Sequence, residues 1–153
     1  MRYALSGEPQ GMGRPRAVRR GAHVGVYTPG KSAEWTALAV AEIQAQGIEA
    51  PMAGLPVEVR IEARFSRPKR LIPRSMGGSG PKSTPVDPPH VSKPDVDNVA
   101  KAVLDALVRA GALADDRQVV HLDAAKRYCD LSGELPGVRV EVLWQASGLT
   151  EES

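Results

Sequence analysis

Acidic residues that could bind a cation gather in two places in the sequence. The first is the run K-P-D-V-D-N from Lys93 to Asn98, and the second is the run D-D-R-Q-V from Asp115 to Val119. Carboxylates this close together repel one another unless a cation or solvent compensates their charge. Hard divalent cations such as Mg²⁺ prefer carboxylate oxygens and keep several waters, so two or three aspartates suffice to bind one. The candidate ligands are Asp95, Asp97 and either Asp115 or Asp116.

A helix is predicted to position the first acidic group. From Asn98 onwards, apolar residues recur at helical spacing and give one buried face, made of Val99, Ala100, Val103, Leu104 and Leu107. Asp97, Lys101 and Asp105 are spaced i, i+4 and line a different face. Asp95 and Asp97 therefore flank the helix N-terminus, where the helix dipole favours negative charge.

The acidic residues also have a purely structural interpretation. An aspartate at a helix N-terminus commonly caps the helix, and an Asp-Asp pair before a strand commonly forms a turn. An Asp–Lys pair at i, i+4 is routine on a solvated helix. One cap needs only one aspartate, however, and this helix start offers two. The second aspartate favours the cation-binding hypothesis.

The ordered run from Lys93 to Leu107, followed by Asp115-Asp116-x-Gln118-Val119 and Lys126, resembles the signature of RusA-type Holliday-junction resolvases. Near the N-terminus, Gly13-Arg-Pro-Arg16 and Tyr27-Thr-Pro29 are similar to the opening segment of that family. The resemblance extends from Tyr3 to about Leu143. Lys93 and the Pro-rich insert before it depart from the family pattern.

The resemblance implies an endonuclease that resolves four-way DNA junctions by paired phosphodiester hydrolysis, with Mg²⁺ or Mn²⁺ as cofactor. It assigns metal binding to Asp95, Asp97 and Asp116. It gives Lys101 an essential basic role in catalysis. Supporting roles fall to Asn98, Asp105 and Asp115.

DNA contacts must come from local basic patches, because the formal net charge of the chain is only +2. Four arginines fall within seven residues and predict an arm that binds phosphates: Arg14, Arg16, Arg19 and Arg20. A solvated basic loop explains the same charges equally well, and the family resemblance favours DNA. Lys69, Arg70 and Lys126 are further predicted DNA contacts.

The remaining sequence predicts a single α+β domain over residues 1–147, with a mixed sheet, two main helices and the order β-β-α-β-α-β-β. Strict alternation makes Val57–Phe65 the clearest strand. Ala22–Tyr27 is predicted to form a hairpin with Tyr3–Glu8, and Ser32 to cap a helix that ends near Gln46. Residues 66–92 are predicted to be a flexible basic loop, and residues 148–153 a polar tail.

Oligomeric state and compartment are also open to prediction. One small active site cuts one strand, so resolving a junction predicts a two-fold homodimer.

A single cysteine, Cys129, excludes an internal disulfide, and the three scattered histidines argue against a zinc site. The sequence has no signal peptide and no apolar run of about 18–20 residues, which predicts a cytoplasmic protein with no membrane partner.

Two other functions fit part of the pattern. One is a nucleotide-sugar transferase in which Asp95-x-Asp97 holds Mn²⁺ and a diphosphate, although the chain lacks a Gly-rich strand-turn-helix. The other is a non-catalytic module that binds branched DNA and uses its aspartates as caps. Metal dependence of cleavage on branched DNA separates these alternatives.

Overall fold

The structure of the protein, a computed structural model, describes residues 1–13, 16–27, 30–51 and 53–145. Arg14 and the predicted tail at 148–153 lie outside the described residues. The regular elements are β1 (Arg2–Ser6), β2 (Arg16–Arg20), β3 (His23–Tyr27), α1 (Gly30–Ala45), β4 (Val57–Phe65), α2 (Val96–Ala110), β5 (Val119–Tyr128) and β6 (Gly137–Leu143). Three short 3₁₀ turns occur at Lys69–Leu71, Arg74–Met76 and Asp116–Gln118.

Four strands form one mixed sheet in the order β1-β6-β4-β5, and β2 and β3 form a separate two-stranded sheet. Strands β4 and β5 are parallel, and α2 lies in the crossover between them. Strand β6 is antiparallel to both β1 and β4. The predicted α+β class and element order are confirmed, with β2 as an additional strand.

The predicted pairing of the N-terminal hairpin is wrong. Strand β3 pairs with β2, whereas β1 pairs with β6. Gly21 lies in the two-residue connection between β2 and β3 and adopts φ 63°, a conformation that tight hairpins favour at glycine. The other edge of β1 is occupied by side chains from the end of α1, because Gln46 exchanges two 2.8 Å hydrogen bonds with the backbone of Ala4.

The two helices cover one face of the four-stranded sheet. Val140 of β6 and Val59 of β4 are fully buried in one core with Ile43 of α1 and with Val103 and Leu107 of α2. The face of β6 that carries its valines is therefore filled within the chain. Neither helix in the described part of the chain has the length and hydropathy to cross a bilayer.

The loop between β4 and α2 is organised around the buried side chain of Arg67, which is only 9% exposed. Its guanidinium donates to four backbone carbonyls, those of Cys129 (3.1 Å), Leu71 (3.3 Å), Pro85 (3.1 Å) and Val86 (3.0 Å). These bonds connect both halves of the loop to the end of β5. The flexibility predicted for residues 66–92 stays a prediction.

The opposite face of the sheet carries charged side chains in ion pairs. Arg127 of β5 makes a two-fold contact with Glu134 (2.5 and 2.8 Å) and a 3.3 Å contact with Glu62 of β4. The hydrogen bonds from Arg127 lower the pKa of the Glu134 carboxyl to about 2. The side chains on this face are therefore charged, ion-paired and accessible to solvent.

We predict that Glu134→Gln lowers the free energy of unfolding by about 1 kcal/mol at pH 7. Because the folded-state pKa of Glu134 lies below its usual value of 4.5, its stabilising effect is present above pH 4.5 and is lost as the pH falls towards 2. Urea unfolding at pH 7 and at pH 2 measures both. The control is Glu34→Gln, at an exposed carboxylate for which the described residues offer no ion pair. An equal deficit at both pH values would contradict the prediction.

Candidate active site

The two aspartates at the start of α2 are not used as caps. Asp95 occupies the N-cap position with extended backbone (φ −69°, ψ 148°), but its side chain makes no capping hydrogen bond. Its carbonyl accepts from the amides of Asn98 (3.1 Å) and Val99 (3.0 Å), which closes the first turn. Asp97 lies within that turn and is exposed. In the described part of the chain, no hydrogen bond or ion pair engages either carboxylate.

The two aspartates of the second acidic pair, Asp115 and Asp116, have different roles. The Asp115 carboxylate caps the 3₁₀ turn, where it accepts from the amide of Arg117 (2.9 Å) and from its guanidinium (3.0 and 3.1 Å). These bonds lower the pKa of Asp115 to about 2. Gln118 completes the capping box by accepting from the amide of Asp115 (3.3 Å). Asp115 is thus committed to the turn, whereas Asp116 is exposed.

Lys101 faces the second acidic pair across a cavity of about 410 Å³. The cavity is lined by Met12, Lys101, Leu104, Asp105, Val108, Asp115 and Asp116. The Lys101 ammonium has no ion pair among the described residues, so its charge is available to a ligand. Asp105 instead pairs with Arg109, one turn further along α2, at 3.0 Å. Its Oδ2 is buried, and the arginine is not oriented to hydrogen-bond it.

A second cavity, of about 640 Å³, adjoins Asp95. It is lined by Gln10, Gly11, Met12, Ser32, Lys93, Pro94, Asp95 and Asn98. Met12 lines both cavities, so the two lie side by side along α2. Together they place Asp95, Lys101 and Asp116 around one continuous stretch of surface.

The N-terminal loop is fastened to α2 by Asn98. The Asn98 side chain donates to the carbonyl of Met12 (3.3 Å), and the amide of Met12 donates to the carbonyl of Asn98 (3.1 Å). The hydroxyl of Ser32 donates to the carbonyl of Gly11 (3.1 Å), which adds α1 to the contact. Helix α1 begins at Gly30, two residues before the predicted cap, so Ser32 serves this contact within the helix.

The segment that leads into Asp95 is held by Lys126 of β5. The Lys126 ammonium donates to the carbonyls of Ser92 (2.6 Å) and Pro94 (2.9 Å). His90 packs between the rings of Phe65 and Tyr128, and burial lowers its pKa. A DNA contact by Lys126 stays a prediction, and two of its three protons are already donated to the backbone.

The predicted metal ligands are oxygen donors of the type that Mg²⁺ prefers. Within the ranges that the structure describes, however, no three His, Cys, Asp or Glu side chains lie close enough together to hold an ion. Asp95, Asp97 and Asp116 thus fit a divalent cation in chemistry but are not assembled around one. Metal binding by these three carboxylates stays a prediction.

The other predicted DNA contacts are at the surface where the structure describes them. Arg19 on β2 is exposed, and Lys69 and Arg70 are exposed in the first 3₁₀ turn of the 66–92 loop. The side chains of Arg16 and Arg20, like the whole of Arg14, fall outside what is described.

Three positioning groups were not predicted from the sequence. They are the Gly11–Met12 backbone that contacts Asn98, the Ser32 hydroxyl, and the buried guanidinium of Arg67. Each acts through backbone carbonyls that are distant in sequence, so no local pattern indicates it.

Two comparisons with known proteins bear on this site. Residues 6–143 match the family model described as endodeoxyribonuclease RusA. The chain is also similar to a protein of Bacillus subtilis (strain 168) described as "uncharacterized protein YqaN". The two are 30% identical over 136 residues, which cover 85% of this chain and 89% of that protein. The matched residues include all of α2 and both acidic pairs.

We predict that Gly11 and Asn98 are energetically coupled. A Cβ on residue 11 would lie 2.5 Å from the Asn98 side-chain nitrogen and 3.1 Å from the Pro94 Cβ. Gly11→Ala should therefore lower the free energy of unfolding by about 1–3 kcal/mol. In the Asn98→Ala background the clashing side chain is absent, so the same change should cost about 1 kcal/mol less. Chemical denaturation of the two single variants and the double variant measures the coupling.

The control for this cycle is Gly30→Ala, because a Cβ at that position meets no atom within 4 Å. That change should be neutral or slightly stabilising. Strict additivity of Gly11→Ala and Asn98→Ala would show that the contact between the loop and α2 is not strained by the added methyl group.

Proposed function

Because the chain belongs to the endodeoxyribonuclease RusA family, we propose that it is a Mg²⁺-dependent endonuclease that resolves four-way DNA junctions. Family membership supports a Holliday-junction nuclease role in general. The observation that carries the finer proposal is that Asp95 occupies an N-cap position without capping, beside an equally unpaired Asp97. Such carboxylates, kept free at a helix N-terminus, are available to a cation.

We propose Asp95, Asp97 and Asp116 as the residues that hold the ion, with Mn²⁺ as an alternative to Mg²⁺. When bound, the ion would supply positive charge at the phosphate and lower the pKa of a water molecule. The approach of the three carboxylates to one another would accompany binding of the ion and the DNA. Asp115 supports this arrangement by fixing the turn from which Asp116 projects.

Lys101 is the residue of the chain best placed to hold the phosphate. Its unpaired ammonium lines the same cavity as Asp116, so it can donate to a phosphate oxygen or offset charge on the leaving oxygen. Asn98 acts indirectly, because it keeps the N-terminal loop against α2. Since the substrate is DNA, we propose the cytoplasm as the compartment in which the enzyme acts.

We predict that Asp95→Asn, Asp97→Asn and Asp116→Asn each reduce cleavage of a synthetic four-way junction by at least about a hundredfold. Junction binding should be retained, because each change removes a metal ligand and also reduces repulsion of the DNA phosphates. The assay compares labelled junction and linear duplex, with Mg²⁺, with Mn²⁺ and with a chelator.

Two other carboxylates provide controls. Asp123→Asn, on the charged face of the sheet, should cleave at the wild-type rate. Asp115→Asn should lower the melting temperature, because its carboxylate holds the turn, whereas Asp116→Asn should not. Wild-type cleavage by Asp95→Asn, Asp97→Asn or Asp116→Asn would remove that residue from the proposed ligand set, and cleavage without metal would refute the cofactor.

We propose that the working unit is a homodimer, since two strands must be cut at related points and each chain supplies one site. Light scattering at micromolar concentration should give about twice the chain mass of 16.3 kDa. A monomer mass that is unchanged when junction DNA is added would refute the dimer. Linear duplex serves as the control for binding without a branch.

A further inference from the structure

Two groups of basic side chains differ in their partners. On the charged face of the sheet, each arginine lies within 4.0 Å of a glutamate, namely Arg2, Arg60, Arg64, Arg127 and Arg139. In the 66–92 loop, the exposed cations have no ion pair among the described residues, namely Lys69, Arg70, Arg74 and Lys82. That loop contains five basic residues and a single acidic one, Asp87. Uncompensated positive charge is therefore concentrated in the loop.

The part of the loop that carries these cations has a defined backbone. The amide of Ser79 donates to the carbonyl of Lys69 (2.8 Å), and the amide of Gly80 donates to the carbonyl of Ile72 (2.9 Å). The turn is so tight that a Cβ at Gly78 would lie 1.9 Å from the carbonyl oxygen of Ile72. The guanidinium of Arg67 holds the start of this segment by donating to the carbonyl of Leu71. The cations thus project from a backbone segment that is held by hydrogen bonds.

A cavity of about 540 Å³ opens within this segment. It is lined by Arg74, Ser75, Ser79, Gly80, Pro81 and Lys82. Two cationic groups and two hydroxyls face it, and no carboxylate does, whereas the cavity around Lys101 contains three aspartates. An anion can therefore occupy the loop cavity without compensation by a metal ion.

We propose that this cavity, the loop phosphate site, binds a backbone phosphate of a duplex arm away from the bond that is cleaved. Arg74 and Lys82 supply the charge, and the hydroxyls of Ser75 and Ser79 donate to the phosphate oxygens. This inference rests on the proposed function, because the DNA substrate is taken from it.

The test measures binding separately from cleavage. Binding of a fluorescent four-way junction is followed by anisotropy in chelator over a range of salt concentrations, and cleavage is followed with Mg²⁺. For Arg74→Ala/Lys82→Ala, the log–log salt dependence should become shallower by about 0.9 to 1.8, since each lost phosphate contact removes about 0.9. The matched control is Arg60→Ala/Arg139→Ala, which removes the same charge from the paired face of the sheet and should leave the slope unchanged.

A second pair of variants separates a built site from diffuse attraction. Ser75→Ala/Ser79→Ala should weaken junction binding by roughly tenfold, because hydrogen bonds to a charged group are lost, with no change in the salt slope. Circular dichroism and thermal melts establish that every variant is folded. Arg74→Lys should preserve the slope, because it keeps the charge.

The outcomes are distinct. If the wild type binds and cleaves but the Arg74/Lys82 and Arg60/Arg139 double variants have equal slopes, the loop phosphate site is refuted and the proposed function stands. Binding with the expected slope change but without cleavage would support the site and refute the nuclease. A wild type that does not bind junction DNA would refute both.

Discussion

The hydrogen bonds that Lys126 donates to the carbonyls of Ser92 and Pro94 fix the backbone immediately before Asp95. The surface that carries Asp95, Lys101 and Asp116 depends on these two hydrogen bonds. Among the described residues, neither Asp95 nor Asp97 forms a side-chain hydrogen bond that would hold the start of α2. Asn98 performs the complementary task on the other side by binding the Met12 backbone. Lys126 of β5 and Asn98 of α2 thus hold the start of the helix in place of capping bonds from the aspartates. Two like charges remain exposed next to each other, and the dipole of α2 offsets part of their repulsion.

The small net charge of the chain conceals an uneven distribution. On one side of the sheet, arginines and glutamates alternate and neutralise one another, so that face offers a polyanion little attraction. In the loop before α2, the exposed cations have no ion pair with any described residue, and the same holds for the carboxylates at the start of α2. The loop therefore attracts a phosphate backbone, whereas the aspartates repel it.

Much of the fold could be predicted from the sequence because its signals are local. Val57–Phe65 alternates strictly and is found as β4 with those bounds, and Gly111 ends α2 with φ 85° as its position indicates. The pairing of β1 could not be predicted, since its partner β6 lies at the other end of the chain.

The candidate site shows the same division between local and distant information. The type and spacing of the aspartates indicated candidate metal ligands, and the family resemblance assigned a role to Lys101; both stay predictions. Which of the two adjacent aspartates is committed to the turn depends on where the Arg117 guanidinium lies, and the sequence leaves that open. The contact between Asn98 and Met12 joins residues 86 positions apart, so no periodicity could indicate it. Arginine generally prefers the surface, so the burial of Arg67 could not be predicted from its residue type. Burial is tolerated because backbone carbonyls accept hydrogen bonds from its guanidinium.

The pairing of β1 with β6 has a consequence for the protein during its synthesis. Strand β1 is synthesised before β6, and among the described residues it pairs along its length with β6 at residues 137–143. Until β6 arrives, β4 also lacks one of its two neighbours, and the core under α2 is open to water. Contacts that span nearly the whole chain form late, because a long loop must close before they contribute. A nascent chain that still lacks β6 carries both acidic pairs but is unable to complete its sheet, so the surface around α2 takes its final form only after β6 has been made.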